Sequence, residues 1–186
     1  MKLYFITINN YKKREVKEYL RGENIDLKFV KYRINPILDF NLKTVVEDKV
    51  LKAYEFLRKP CAVEHSSLEI QKLKRLPAGL SNLIWNKVKD GICGFIKRGG
   101  SRITYAKSIV GYCDGRKIIT FSGSTKGKIS YEAKGEYNFH WDPIFIPDGD
   151  NRTFGEMGFP EKKEYSPSYK AWKKLIRYIN TLSNDR

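Results

Sequence analysis

The sequence predicts an α/β protein: a mixed sheet flanked by helices, with a second, mainly antiparallel lobe and a central cleft between the two. Three observations predict it. A short apolar run, Leu3 to Ile8, ends at Asn9-Asn10 and leads directly into an amphipathic segment, which reads as strand, turn and helix. Two strand-like runs, Tyr105 to Cys113 and Lys117 to Phe121, are joined by Asp114-Gly115, a hairpin signal. A final segment from Ser166-Pro167 places Trp172, Leu175, Ile176 and Ile179 on one face and Lys170, Lys173 and Lys174 outside, the pattern of a surface helix.

In chain order, the apolar run at Leu3 to Ile8 suits a buried strand that opens a parallel arrangement. Tyr11 to Leu20 carries Val16, Tyr19 and Leu20 on one side and is stopped by Arg21-Gly22. Such a turn points backbone N–H groups and Lys12 at a helix N-terminus, where hydrogen bonding and the helix dipole both favour phosphate. Ile25 to Tyr32 alternates as a half-exposed strand. From Asn41 to Leu57, apolar residues recur at helical spacing until Lys59-Pro60. Cys61-Ala62-Val63 is expected as a brief buried strand delivering Glu64-His65-Ser66-Ser67 at its end, where open α/β sheets place their chemistry. Ser81 to Phe95 is expected as a helix, and Gly123, Gly127 and Ile129 as part of a third antiparallel strand. No repeat or linker divides the chain, so one two-lobed domain is expected over residues 1–186.

A formal charge of +15 implies an anionic partner, either a nucleotide triphosphate or a nucleic acid, unless the scattered lysines are no more than a solvated surface. Cys61, Cys93 and Cys113 lack the paired spacing of a zinc site and read as reduced thiols. No stretch is apolar for long enough to span a membrane, and the N-terminus has no signal-peptide pattern, so a cytoplasmic location is expected.

One stretch concentrates the chemistry. Gly135-Glu136-Tyr137-Asn138-Phe139-His140-Trp141-Asp142-Pro143 sets aromatics around one acid, and Pro143 and Pro147 remove backbone donors. It reads as a rigid loop offering a flat heterocycle a stacking face and a hydrogen-bond acceptor; the alternative is an aromatic-rich turn of the core.

Phe139-x-Trp141-Asp142-Pro143-x-Phe145-x-Pro147, with Thr153-Phe154-x-Glu156-Met157 and Glu161-Lys162, resembles the inosine triphosphate pyrophosphatase family. Thr7-x-Asn9-x-x-Lys12 stands where that family has its phosphate-binding turn, and Val63-Glu64-His65-Ser66-Ser67-Leu68 resembles its acid-acid-Ser-Gly-Leu run. The resemblance covers nearly the whole chain. It implies cleavage of a nucleoside triphosphate to monophosphate and pyrophosphate, a divalent metal ion, magnesium or manganese, and a homodimer. It also implies substrate-binding roles for Thr7, Asn9, Lys12, Lys52, Ser66, Phe139, Trp141, Asp142 and Lys162, with Glu64 as a retained acid.

The chain departs from the family pattern at four places. The family's turn has glycine where Ile8 stands. The metal-holding acid before the central helix falls near Pro36-Ile37-Leu38, where Asp39 is the nearby substitute, so Glu64 and Asp39 are the expected metal ligands. The family's second acid, its assigned base, is His65, which suits a general base but is a poor magnesium ligand. Ser166-Pro167-Ser168 stands where the family has Ser-His-Arg, whose last two residues read the purine 6-keto group, so base preference does not carry over. Three functions therefore compete: a triphosphate pyrophosphatase with altered base and metal preference, an impaired relative that binds a nucleotide for sensing or regulation, and a nucleic-acid-binding module.

Overall fold

The computed structural model describes residues 1–136 and 139–184. Tyr137 and Asn138 of the aromatic stretch lie outside the described residues. Strand β1 (Lys2–Ile6) ends in a turn at which the Asn9 side chain accepts from the backbone N–H groups of Tyr11 and Lys12, starting helix α1 (Asn10–Tyr19). Strand β2 (Asp26–Val30) returns parallel to β1, and helix α2 (Leu42–Leu57) leads to strand β3 (Cys61–Ile70). Helix α3 (Ser81–Val88) precedes the long hairpin of β4 (Ile103–Cys113) and β5 (Ile118–Ile129). Short strand β6 (Phe145–Pro147), helix α4 (Phe159–Tyr165) and helix α5 (Pro167–Asn184) complete the chain. The six strands form one mixed sheet in the order β2-β1-β3-β4-β5-β6, parallel over the first three and antiparallel from β3 onward.

Helices cover both faces. On one, Val46, Val50 and Ala53 of α2 pack on Ile6, Cys61, Val63 and Cys113. On the other, Ala171, Trp172, Leu175 and Ile176 of α5, with Val16 and Tyr19 of α1, pack on Leu3, Phe5, Ala62, Val110 and Tyr112. A third cluster gathers Leu68, Ile70, Trp85 and Ile129 with Trp141, Phe145 and Phe154 under the antiparallel half. The expected second lobe is thus a continuation of the same sheet, with β3 common to both halves.

Some expected boundaries shift. β3 does not stop at Val63 but runs to Ile70, with every residue paired to β4, because Glu64 and Ser66 find buried hydrogen-bonding partners and need no loop. β5 is one strand where two runs were expected. It stays flush with α5 because a side chain at Gly123 would collide with the Pro167 carbonyl. The expected helix from Ser81 ends at Val88, and Lys89–Phe95, which contains Gly91 and Gly94, continues as a tighter 3₁₀ turn. α4, built on Gly158-Phe159-Pro160-Glu161, was not expected from the sequence.

One topological feature prepares the site. β1 is in register with β3 only at Tyr4 with Cys61 and Phe5 with Ala62. Beyond that point β1 turns away into α1 while β3 continues, so the edge of β3 from Val63 onward flanks the carboxyl end of β1. That is where open α/β sheets place ligands.

Candidate functional site

Glu64 is the centre of this edge. Its side chain is buried on the α1/α5 face of the sheet. Oε1 accepts from Lys12 Nζ at 3.1 Å, Ser66 Oγ at 3.0 Å and Ser108 Oγ at 2.8 Å, while Oε2 accepts from Trp172 Nε1 at 2.9 Å. Burial pushes such a carboxyl up, but Lys12 and the hydrogen bonds from Trp172 and Ser108 outweigh it and bring Glu64 down to about 2. Lys12 also donates to Ser66 Oγ at 3.3 Å. Thr7 Oγ1 accepts from the Asn9 N–H at 3.1 Å, so Thr7 and Asn9 serve to shape the turn that carries Lys12.

Successive residues of a strand point to opposite faces, and His65 therefore faces α2, away from the Glu64 carboxylate. It is buried and hydrogen-bonded to the Gly79 backbone, and its Nε2 has no partner among the described residues. Burial, with Lys49 and Lys12 nearby, lowers it to about 3, so the ring is neutral and Nε2 is a free acceptor. Lys49 arrives from α2 and donates to the Glu64 carbonyl at 3.0 Å. Burial, with Lys12's charge adding to it, brings the Lys49 ammonium down to about 7. Glu64 and His65 thus flank one edge from two sides and are not a pair sharing one face.

Two expected residues lie elsewhere. Lys52 binds Asp48 at 2.8 Å and the Asn35 carbonyl at 3.2 Å, on the outer side of α2. The α2 lysine at the site is Lys49, which the sequence reading missed. Its signal was available, since 49 falls in the stripe of Val45, Val46, Val50 and Ala53 that α2 buries, whereas 52 does not. The Asp39 carboxylate accepts from the backbone N–H of Asn41 at 2.6 Å, closing a local turn. No group of three or more His, Cys, Asp and Glu side chains suited to a metal ion occurs among the described residues. With both Glu64 oxygens engaged and an imidazole at 65, the donor set does not fit a protein-held magnesium ion.

At the other end, Asp142 Oδ2 and Glu15 Oε1 bind Lys162 Nζ at 2.6 and 2.9 Å, all three groups buried. Burial would lower Lys162, but Asp142 and Glu15 outweigh it and hold the ammonium charged. Asp142 is raised to about 7, first by burial and then by Glu15, against the pull of Lys162; its Oδ1 has no partner among the described residues. Lys162 Nζ stands 5.0 Å from the Tyr11 ring centre and 5.5 Å from that of Phe139, which are stacked at 6.4 Å. Phe139 and Trp141 are buried in the third core cluster, so the aromatic stretch is core as much as loop. That burial agrees with an aromatic-rich turn of the core, while the Phe139 ring stacks on Tyr11. Lys12 lies 5.4 Å from the Phe139 ring and so connects the two ends. Ser166 and Pro167 start α5, with Ser166 Oγ beside Tyr19 OH at 3.3 Å, while Ser168 Oγ is buried without a partner among the described residues. A cavity of about 880 Å³ opens elsewhere, beside Phe40, Lys43, Lys74 and Lys107, and takes none of these site residues into its lining.

A model of the Ham1 family matches residues 3–178. A dITP/XTP pyrophosphatase of Pyrococcus horikoshii is 34% identical over 180 residues, covering 96% of this chain and 97% of its own. Another, from Saccharolobus solfataricus, is 32% identical over 182 residues, covering 97% and 95%. Among solved structures, the Staphylococcus aureus Ham1 protein superposes with a TM-score of 0.81 at 16% identity, covering 97% of this chain and 99% of its own. The fold, the order of the site segments along the chain and these matches agree: the chain belongs to the Ham1 family.

Proposed function

We propose that the chain hydrolyses a nucleoside triphosphate to the monophosphate and pyrophosphate, with base and metal preference altered from the family's. The observation that carries this reading is the meeting of Lys12 and Lys49 over the Glu64 segment at the carboxyl end of β1, within one connected site with Phe139, Asp142 and Lys162. Cleavage between the α and β phosphorus atoms needs cations at the phosphates and a group that orients water for in-line attack. Lys12 supplies charge, and the substrate's negative charge favours the ammonium form of Lys49, which stands at about 7 without it. His65 Nε2, a buried acceptor, is the water-orienting group, and negative charge arriving with the substrate raises its basicity. Tyr11, Phe139 and the free Asp142 Oδ1 face the base end, where Ser168 replaces the family's reader.

Relatives named dITP/XTP pyrophosphatases support the hydrolysis; the departures at positions 37, 65 and 167–168 support the altered preferences. A second reading, an impaired relative that binds nucleotide for regulation, is favoured by one observation, the full engagement of Glu64 by protein donors. The working assembly is a homodimer in the cytoplasm, which sedimentation and fractionation would check. No helix among the described residues is long and apolar enough to cross a membrane. The test is a panel of canonical and deaminated nucleoside triphosphates, with magnesium or manganese, read by thermal shift and by product release. A ligand at 100 times its dissociation constant stabilises by about 2.7 kcal/mol. Turnover of one member supports the enzyme, stabilisation of the protein without turnover supports the second reading, and neither result removes both.

A further inference from the structure

We propose that the phosphate end of this site is a cation-built cradle that binds a polyphosphate without a protein-held metal ion. This rests on the nucleotide reading above but goes beyond it, since it concerns how the anion is neutralised.

The carboxylates near the cradle each hold protein donors. Glu64 Oε1 takes three donors and Oε2 a fourth. Asp39 closes its own turn onto Asn41. Asp48 accepts from the Ile37 N–H at 2.8 Å and from Lys52. A hard divalent cation seeks several carboxylate oxygens converging on one point, whereas here each of these carboxylates already holds protein donors and no group of three or more His, Cys, Asp and Glu side chains suited to a metal ion occurs among the described residues.

The cations remain in excess. Lys12 comes from α1 on one face of β3 and Lys49 from α2 on the other, and a single carboxylate, Glu64, lies between them. An independent observation points to a missing ligand: His65 Nε2 and Ser67 Oγ, two residues apart and therefore on the same face of β3, are buried and have no partner among the described residues. Buried polar atoms without partners are rare and call for an explanation. A phosphate oxygen, with several lone pairs, accepts from the Ser67 hydroxyl and from the Lys49 ammonium. Water between phosphate and His65 Nε2 satisfies the ring. The two lysines, set against the one Glu64 carboxylate, leave positive charge where a protein-held metal would supply it.

The test uses the full-length protein stripped of metal, with inorganic tripolyphosphate and an α,β-methylene nucleoside triphosphate as probes, titrated calorimetrically in a chelator and again with magnesium. The expected result is binding of both probes in the chelator, with affinity within about threefold of that in magnesium. Lys49→Met, which keeps the side-chain volume, should weaken chelator binding by about 10- to 100-fold, the loss of one charge-assisted hydrogen bond, while Lys49→Arg should retain most of it. Binding that appears only with added magnesium would overturn the proposal, as would absence of binding in either condition. Metal-free binding without hydrolysis of any triphosphate would leave the cradle standing and overturn the pyrophosphatase reading; hydrolysis with strictly metal-dependent binding would do the reverse.

Discussion

At the scale of single residues, Glu64 has the clearest physical role. It is buried with Lys12, so removing it leaves an ammonium without its counter-charge. Glu64→Ala should cost about 3–5 kcal/mol in urea unfolding. Its pKa, held near 2 in the folded chain against an ordinary value of 4.5, also makes a pH prediction. The contribution of Glu64 to stability is present above pH 4.5 and is lost as pH falls through 2; Glu64→Gln should flatten that acid slope in thermal melts. Asp142 acts in the opposite sense. Raised from 3.8 to about 7, it holds a proton in the folded state that the unfolded chain has released, so its contribution falls as pH rises from 4 to 7. Asp142→Asn should remove that decline. For function, His65→Asp puts a carboxylate beside Lys49, and magnesium-dependent turnover should rise roughly a hundredfold. Unchanged turnover would show that the imidazole is not what sets this chain apart.

Elements explain which parts of the site were legible in the sequence. The turn after β1 was legible because Asn9 and Lys12 carry both the capping and the charge locally, within four residues. Motif likeness points to Lys52 of α2, while helical periodicity sets Lys49 on the buried side, beside the Glu64 carbonyl. The end of β3 was misplaced because a run of Glu64, His65, Ser66 and Ser67 looks like a loop, and only the partners Ser108 and Trp172, distant in sequence, make it a strand interior. No local pattern announces a tryptophan 108 residues away as the donor to Glu64. Trp172→Phe keeps the packing of α5 and removes that bond, and should cost about 1–3 kcal/mol in chemical denaturation. At the β5–α5 contact, Gly123→Ala forces the strand from the helix, with a loss of about 1–3 kcal/mol expected in the same assay.

For the molecule as a whole, a single six-stranded sheet covered on both faces holds the Glu64 segment and the aromatic end together through Lys12 and Phe139. The fold class was legible because strand–turn–helix and hairpin signals are local and independent of one another. That the antiparallel half continues the parallel half was not, since it depends on β3 pairing over its full length. The aromatic stretch was conspicuous in sequence, yet its burial in the third core cluster depends on Leu68, Trp85 and Ile129 from three other elements.

Water attack at the α phosphorus of a nucleoside triphosphate is best checked by hydrolysis in water enriched in heavy oxygen. The expected products are equal amounts of nucleoside monophosphate and pyrophosphate, with the label in the monophosphate. Release of orthophosphate and a nucleoside diphosphate, or label in the pyrophosphate, would contradict it.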